Sequence, residues 1–156
     1  MKTIIILSVL FVGIWVGKSS ESKDFSVSID KAIGKISENE QILTIPTYLK
    51  NESNDTLYYL SMSCSWQDYY LINDSKFQIV VSECDKNIPI IIRIAPHQSR
   101  KVNLELRSTF GVNNIDNLKI GYNFIYAKSK EDLFSINENI QAQKAIIWSN
   151  KYKASR

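Results

Sequence analysis

Hydrophobic and polar residues alternate with a period of two along several short stretches of this chain. The stretch LSMSCSW, residues 60–66, places serine at every second position and larger residues between. Successive side chains of a β-strand point to opposite faces, whereas a helix would scatter both sets around its circumference. The pattern predicts a strand with one buried and one solvated face. The predicted buried residues are Leu60, Met62, Cys64 and Trp66. The predicted solvated residues are Ser61, Ser63 and Ser65.

Similar alternation, or a run of β-branched residues, recurs between turn signals along the rest of the chain. Pro46 interrupts one of these strands and predicts an edge position or a bulge there, because proline has no N–H to donate. Residues 128–139 predict either a short helix with Ser129 as N-cap or a long hairpin loop. The whole pattern predicts an all-β fold of about 7–9 strands in two packed antiparallel sheets. The further predicted strands are 25–29, 41–50, 77–81, 88–94, 101–107, 118–126 and 145–148.

The N-terminus departs from this pattern and is typical of an export signal. Lys2 provides a positive start, and residues 4–16 are a nearly unbroken apolar run followed by small residues. The run is shorter than the roughly 20 residues that a membrane-spanning helix needs, and an uncleaved anchor is the alternative. We therefore predict an N-terminal signal helix at 1–19, a β-sandwich domain at 20–150 and a basic tail at 151–156. The expected location is secreted or periplasmic.

The charge balance argues against a nucleic-acid-binding function. The full chain has 19 Lys and Arg against 16 Asp and Glu. Removing residues 1–19 removes Lys2 and Lys18, which leaves 17 against 16 and a net charge of +1. Such a chain has no long-range field that would attract a polyanion.

The two cysteines, Cys64 and Cys84, predict a disulfide bond. Two cysteines in a small exported domain usually pair in an oxidising compartment. The bond would close a loop of about 20 residues and contribute roughly 3 kcal/mol in the loop-entropy model. Two buried free thiols and a metal or redox pair are the alternatives, although a metal site would need more ligands than these cysteines and the single His97.

Catalytic chemistry has little support in the sequence. His97 stands beside Pro96 in a predicted turn, and the chain contains no G-x-S-x-G elbow, phosphate loop, dinucleotide fingerprint or zinc signature. The acids around the cysteine loop match no EF-hand spacing, and weak calcium binding is the alternative for them. We therefore predict a non-enzymatic protein without a cofactor or metal. These acids are Asp68, Asp74, Glu83 and Asp85.

Three stretches resemble the bacterial secreted immunoglobulin-like and fibronectin type III-like β-sandwich domains. They are LTIPTYLKNESNDTLYYLSMSCSW, IRIAPHQSRKVNLEL and DNLKIGYNFIY. The first is similar to an Asn-rich turn between two early strands, and the second to a strand, Pro-containing turn and strand. In the third, Asp116 ahead of Tyr122 resembles a tyrosine corner. Cys64 and Cys84 are too close for the disulfide that joins the two sheets of antibody domains, so we expect a bridge between neighbouring strands or loops.

The segment between the cysteines holds the best candidates for a binding surface. Aromatic rings near a strand end can anchor a partner or stack on a sugar, although Trp66 also fits the core. We predict a protein-interaction or accessory module of the cell envelope, which contacts a membrane only through an uncleaved signal. A carbohydrate-binding module or a protease-inhibitor-like domain that uses the disulfide-framed loop is the alternative. The candidate residues are Trp66, Tyr69, Tyr70 and Trp148.

Overall fold

The computed structural model describes residues 24–34, 41–108, 115, 117–134 and 143–152. The predicted signal helix at 1–19 lies outside these residues. Within the described part, no helix is long and apolar enough to cross a membrane. The described elements are β1 (Phe25–Ile29), β2 (Gln41–Asn51), β3 (Leu57–Met62), a 3₁₀ turn (Trp66–Tyr69), β4 (Tyr70–Ile72), β5 (Phe77–Ile79), β6 (Pro89–Ile94), β7 (Ser99–Ser108), β8 (Ile120–Ala127), α1 (Lys130–Phe134) and β9 (Gln143–Trp148).

The strands form two antiparallel sheets, which confirms the all-β prediction. The first sheet has the order β1-β2-β7-β5. In the second sheet, β9 pairs with one edge of β8, and β4 and β3 pair with successive parts of the other edge. Strand β6 pairs with β3 and forms the outer strand on that side. The nine strands of the described residues fall within the predicted number.

The core lies between the two sheets and is built from the alternating residues of β1, β7 and β8. The ring of Phe25 in β1 packs edge-on against Phe124 and Tyr126 of β8, with centroid distances of 5.0 and 5.1 Å. Leu104 and Leu106 of β7 are fully buried on the facing sheet. The predicted inward and outward alternation of these three strands is confirmed. Truncating one of the large core side chains to alanine would cost about 2–5 kcal/mol.

The LSMSCSW stretch faces the other way from the prediction. Strand β3 ends at Met62, and its buried residues are Leu57, Tyr59 and Ser61, while Leu60 and Met62 are half-buried on the opposite face. The prediction that Leu60 and Met62 face the core was wrong. A strand shifted by one residue exchanges all its faces, so the whole strand decides the register. In the observed register Leu57 is fully buried, and the ring of Tyr59 packs edge-on against Tyr122 and Phe124 of β8 with centroid distances of 5.9 and 6.0 Å.

Pro46 lies inside a paired strand and not in an outer strand or a bulge. Strand β2 runs between β1 and β7, and Pro46 is opposite Asn103 in an unbroken register. The carbonyl of Pro46 accepts a hydrogen bond from Asp30 N–H at 3.0 Å, just beyond the end of β1 at Ile29. The N–H and C=O of one residue in an antiparallel strand face the same neighbour, so the missing donor faces the end of β1. The cost of a proline in a sheet is therefore small here.

The short helix and the C-terminal segment complete the fold. The Oγ of Ser129 accepts a hydrogen bond from Asp132 N–H at 3.1 Å, which confirms Ser129 as the N-cap of α1. Residues 135–139 of the predicted helix or loop lie outside the described residues. Tyr152 is buried, and its N–H donates to the Leu118 carbonyl at 2.8 Å. The packed part of the chain thus continues two residues beyond the predicted boundary at 150.

Candidate functional site

The turn that follows β3 holds the residues just ahead of β6 through a set of hydrogen bonds. Ser63 N–H donates to the Ile88 carbonyl at 2.9 Å, and Ile88 N–H donates to Ser63 Oγ at 3.1 Å. The Oδ1 of Asn87 accepts from the N–H groups of Cys64 and Ser65 at 3.3 and 3.2 Å, while its Nδ2 donates to Ser65 Oγ at 2.6 Å. Ser63 and Ser65 therefore anchor another segment and are not simply the solvated face of a strand. The prediction that Ser61 is solvated was wrong, because Ser61 lies on the buried face of β3.

The predicted disulfide between Cys64 and Cys84 is present and reinforces this attachment. The two Cα atoms are 6.3 Å apart, and the cysteines are 20 residues apart in the chain. Cys64 follows β3, while Cys84 lies in the segment that leads into β6, which pairs with β3. The bridge thus joins a strand end to the approach of its neighbouring strand, as the spacing predicts. We call residues 81–88 the tethered loop.

The tethered loop is fixed at its end and exposed along its length. Every residue from 81 to 88 is exposed, including the apolar side chains of Val81 at 47% and Ile88 at 60%. Strand β6 continues from the loop, and among the described strands it is the outer one of its sheet, so one side of its backbone pairs with none of them. Its half-buried residues include Ile90, Ile91 and Ile92. Loop and edge strand therefore present a continuous surface with apolar side chains and backbone hydrogen-bonding groups.

A cleft lies beside the base of the tethered loop, where β5 separates from β7. Strand β5 ends at Ile79, and Val80 N–H still donates to the Glu105 carbonyl of β7 at 2.8 Å. The chain then leaves the sheet, and a cavity of about 150 Å³ opens between it, β7 and the 3₁₀ turn. The residues that line the cavity are Trp66, Gln67, Val80, Ser82, Asn103 and Glu105.

The predicted aromatic residues of the loop between the cysteines lie at different depths. Trp66 is half-buried in the 3₁₀ turn, and its ring packs edge-on against Tyr70 at 5.9 Å. Tyr69 is half-buried too. Tyr70 is only 7% exposed and packs in the core against Tyr122 at 4.5 Å, so its ring offers no surface to a partner. Of this group, only Trp66 and Tyr69 reach solvent.

Trp148 lies on the outer face of the second sheet, away from the other predicted aromatics. It pairs with Gly121 across β8 and β9, and a Cβ atom on Gly121 would lie 3.0 Å from the Cε3 and Cζ3 atoms of the indole. The glycine thus provides the space in which the ring rests. Trp148 is 43% exposed and stands beside the exposed Ile146. The four predicted surface residues therefore form no single surface.

Three buried tyrosines stand next to the 3₁₀ turn. Burial raises the pKa of Tyr59, Tyr70 and Tyr122 above the usual range of a phenol. The side chains of Tyr59 and Tyr122 are hydrogen-bonded, and the positive charge of Arg100 opposes the rise in the pKa of each tyrosine. At neutral pH the three rings stay protonated. They support the 3₁₀ turn by packing and do not exchange protons with a ligand.

The other residues singled out from the sequence are spread over the surface. His97 lies in its predicted turn with a φ of 58°, and its Nε2 is 3.0 Å from Asn54 Oδ1. The carboxylate of Asp74 accepts the Lys76 N–H at 3.0 Å, as a turn residue does. Among the residues that the structure describes, no three His, Cys, Asp or Glu side chains form a group that could hold a metal ion.

Three residues of the cleft carried no signal in the sequence. Gln67, Asn103 and Glu105 come from the 3₁₀ turn and from β7, which are far apart in the chain. In the alternating pattern of β7, Asn103 and Glu105 are ordinary outward residues. Only the separation of β5 from β7 makes them part of a cavity, and no local pattern predicts that separation.

Comparisons with known proteins assign no family to this chain. No protein-family model matches it, and no curated protein matches it. Among solved structures, the chain is similar to the crystal structure of a FixG-related protein from Vibrio parahaemolyticus, with 12% sequence identity and a TM-score of 0.30. This similarity covers 82% of the chain and 96% of the other. At such values the likeness supports neither a family assignment nor a function.

Proposed function

We propose that this chain is an exported, non-enzymatic immunoglobulin-like β-sandwich that binds a protein partner through the tethered loop and strand β6. The observation that carries the proposal is an exposed loop held by a disulfide and by the hydrogen bonds of Asn87 and Ile88. A disulfide is compatible with a secreted or periplasmic location, where it would form and persist. The cell envelope is therefore the proposed site of action.

Attachment of the loop favours binding because it lowers the entropy lost on association. Each flexible side chain or loop residue that is ordered on binding reduces affinity, and a loop fixed beforehand avoids much of that cost. The tethered loop is fixed at its backbone while the side chains of Val81 and Ile88 stay exposed. Exposed apolar groups on a fixed backbone are typical of a partner-binding surface.

Strand β6 adds a second means of recognition. As an outer strand it can pair with an extended segment of the partner, and the backbone hydrogen bonds of such pairing provide affinity. The tethered loop leads directly into β6, so one partner could contact both. The protease-inhibitor-like alternative uses the same loop as a wedge. Inhibition assays with extracellular proteases at micromolar concentration would separate that role from binding alone.

Site-specific photo-crosslinking tests the proposal. A photoreactive residue is placed at Ile88 or, as the matched control, at Ile33, which is 66% exposed and pairs with Thr44 of β2 in the first sheet. Both chains are incubated with envelope extract from the source cells. We expect one adduct of defined mass from position 88 only. An excess of the unaltered chain without the photoreactive residue should prevent this adduct, whereas the same excess of a chain with Ile88→Asp should not. Equal adducts from both positions, or none from position 88, would contradict the proposal.

Carbohydrate binding is the second candidate, and Trp148 favours it. Its indole rests against Gly121 on an exposed sheet face, and aromatic rings held in this way stack on sugars. Retention on polysaccharide columns and a glycan array test this function. We expect Trp148→Ala to lose retention and Trp148→Phe to keep most of it. Absence of any glycan signal from the unaltered chain would remove this candidate.

A further inference from the structure

The cleft beside the tethered loop contains a polar group that the fold leaves without a partner. Gln67 is only 7% exposed, and its Oε1 is buried with no hydrogen-bond partner among the described residues. A buried acceptor without a donor destabilises a fold, so such groups usually have a function or a missing partner. Gln67 lines the cavity, and a donor that enters the cavity is the partner that this amide lacks.

The other polar groups of the lining can accept hydrogen bonds, and one of them is negatively charged. Glu105 brings a negative charge, and among the described residues no ion pair reaches its carboxylate. Ser82 and Asn103 add a hydroxyl and an amide oxygen. Alternate residues of a strand direct their backbone groups to the same neighbour, so the N–H and C=O of Asn103 face the side from which β5 has departed. Acceptors therefore surround the cavity from several directions.

The remaining wall of the cavity is aromatic. Trp66 lines it, and the edge-on contact of its ring with Tyr70 at 5.9 Å fixes the indole in place. An indole face attracts a cation and stacks on a planar one. The cavity of about 150 Å³ is far larger than a single water molecule needs, and water occupies roughly 30 Å³ in the liquid. The space suits a group of several heavy atoms.

We propose that this cleft binds a guanidinium group. A guanidinium is planar, always charged and carries five N–H donors, so one group can serve Gln67, Glu105 and further acceptors while it stacks on Trp66. An ammonium group has three donors at one point and no plane to stack, so it fits this lining less well. The group can belong to an arginine of a protein or to a small free molecule. The site does not depend on partner binding by the tethered loop.

Titration of the isotope-labelled purified chain by NMR tests the proposal. The probe is N-acetyl-arginine amide, and its control is N-acetyl-citrulline amide, which has nearly the same shape and no charge. We expect the arginine probe to shift the side-chain N–H signals of Trp66 and Gln67, with a dissociation constant on the order of millimolar. The citrulline compound should leave them unchanged. Equal shifts from both compounds, or none at tens of millimolar, would overturn the proposal.

Two variants and a matched control locate the site. Glu105→Gln should weaken binding about tenfold, because it removes one charge-assisted contact. Gln67→Leu should weaken it similarly, and its melting temperature should not fall, because the buried unpartnered acceptor is gone. Glu52→Gln, an exposed glutamate paired with Lys50 elsewhere, should bind normally. Unchanged binding in both cleft variants would overturn the proposal that this cleft binds a guanidinium group. That result is independent of whether the tethered loop binds a protein partner.

Two further probes distinguish an arginine of a protein from a small free molecule as the source of the guanidinium group. Butylguanidine carries the group alone, whereas a capped Gly-Arg-Gly peptide also carries backbone groups that can pair with the open edge at Asn103. Tighter binding of the peptide by about tenfold would support a protein arginine as the source. Equal binding would support a free molecule. Failure of both probes to bind would overturn the site itself.

Discussion

Loss of the disulfide should destabilise this protein by a calculable amount without unfolding it. The Cys64–Cys84 bridge closes a loop with a sequence separation of 20, so in the loop-entropy model its removal costs about 3 kcal/mol. Neither cysteine belongs to the core between the sheets. The side chain of Asn87 accepts hydrogen bonds from the backbone N–H groups of Cys64 and Ser65, and these bonds do not involve the sulfur atoms. The fold should therefore persist, while the tethered loop loses its main attachment.

The assay compares urea unfolding of the oxidised chain with that of the Cys64→Ser/Cys84→Ser variant. For a domain of this size the urea slope is about 1–3 kcal/mol/M, so a loss of about 3 kcal/mol should lower the midpoint by roughly 1–3 M. Circular dichroism of the variant should stay that of a β protein. Limited proteolysis should cut the variant at 81–88 and spare the oxidised chain, because the loop is then attached only through Asn87 and Ile88.

Two results would refute this reasoning. A variant that is unfolded in water would show that the bridge supports the core itself and not only the loop. A midpoint shift below about 0.5 M, together with unchanged proteolysis, would show that the hydrogen bonds of Asn87 already fix the loop. Adding Asn87→Ala to both chains separates these contributions, because it removes the Asn87 hydrogen bonds from each chain while the oxidised chain keeps its bridge.

Three further predictions test the register, the core and the pH dependence. Ser61→Asp should lower the free energy of unfolding in urea by about 3 kcal/mol or more, because it buries a charge. Met62→Asp, on the half-exposed face, should lower it by about 1 kcal/mol. Equal decreases would contradict the register of β3. Asn51→Ala should lower the free energy of unfolding by about 2–4 kcal/mol, because Asn51 Nδ2 donates to the carbonyls of Asp55, Ile94 and Ala95. A decrease below about 1 kcal/mol would contradict this role of the Asn51 side chain. Burial raises the pKa of Tyr122, so the contribution of its protonated phenol to the free energy of unfolding should be constant below the unfolded pKa of about 10 and fall as the pH rises beyond that value. Tyr122→Phe should lessen the fall. An unchanged dependence of stability on pH in this variant would contradict the role of Tyr122.

Much of the fold could be predicted because its signals are local. The alternation in β1, β7 and β8 fixes which side chains can share a buried face, and the structure buries Phe25, Leu104 and Phe124 accordingly. The N-cap of α1 rests on Ser129 and the N–H three residues later, so four residues were enough to predict it. The pairing of Cys64 with Cys84 needed only their number and an oxidising compartment.

The candidate site was less predictable because it depends on residues distant in the chain. Ser63 and Ser65 look like the solvated side of a strand until Asn87 and Ile88 are seen to bind them. From the sequence Tyr70 is a candidate surface aromatic, but in the structure its ring packs against Tyr122 of β8. Neither contact follows from spacing along the sequence. Both arise from the pairing of β3 with β6 and of β4 with β8.

The sequence by itself determined the class of structure, the turns and the bridge, because period, turn residues and cysteine number act over a few neighbouring positions. Only the tertiary structure decided which face of LSMSCSW is buried, since burial of Leu57 and Tyr59 against the other sheet sets the register of the whole strand. It also created the cleft, which exists because β5 leaves β7 after Val80 and exposes Asn103 and Glu105 to Gln67. Such sites form where strands separate, and separation is a property of the packed sheets and not of any segment alone.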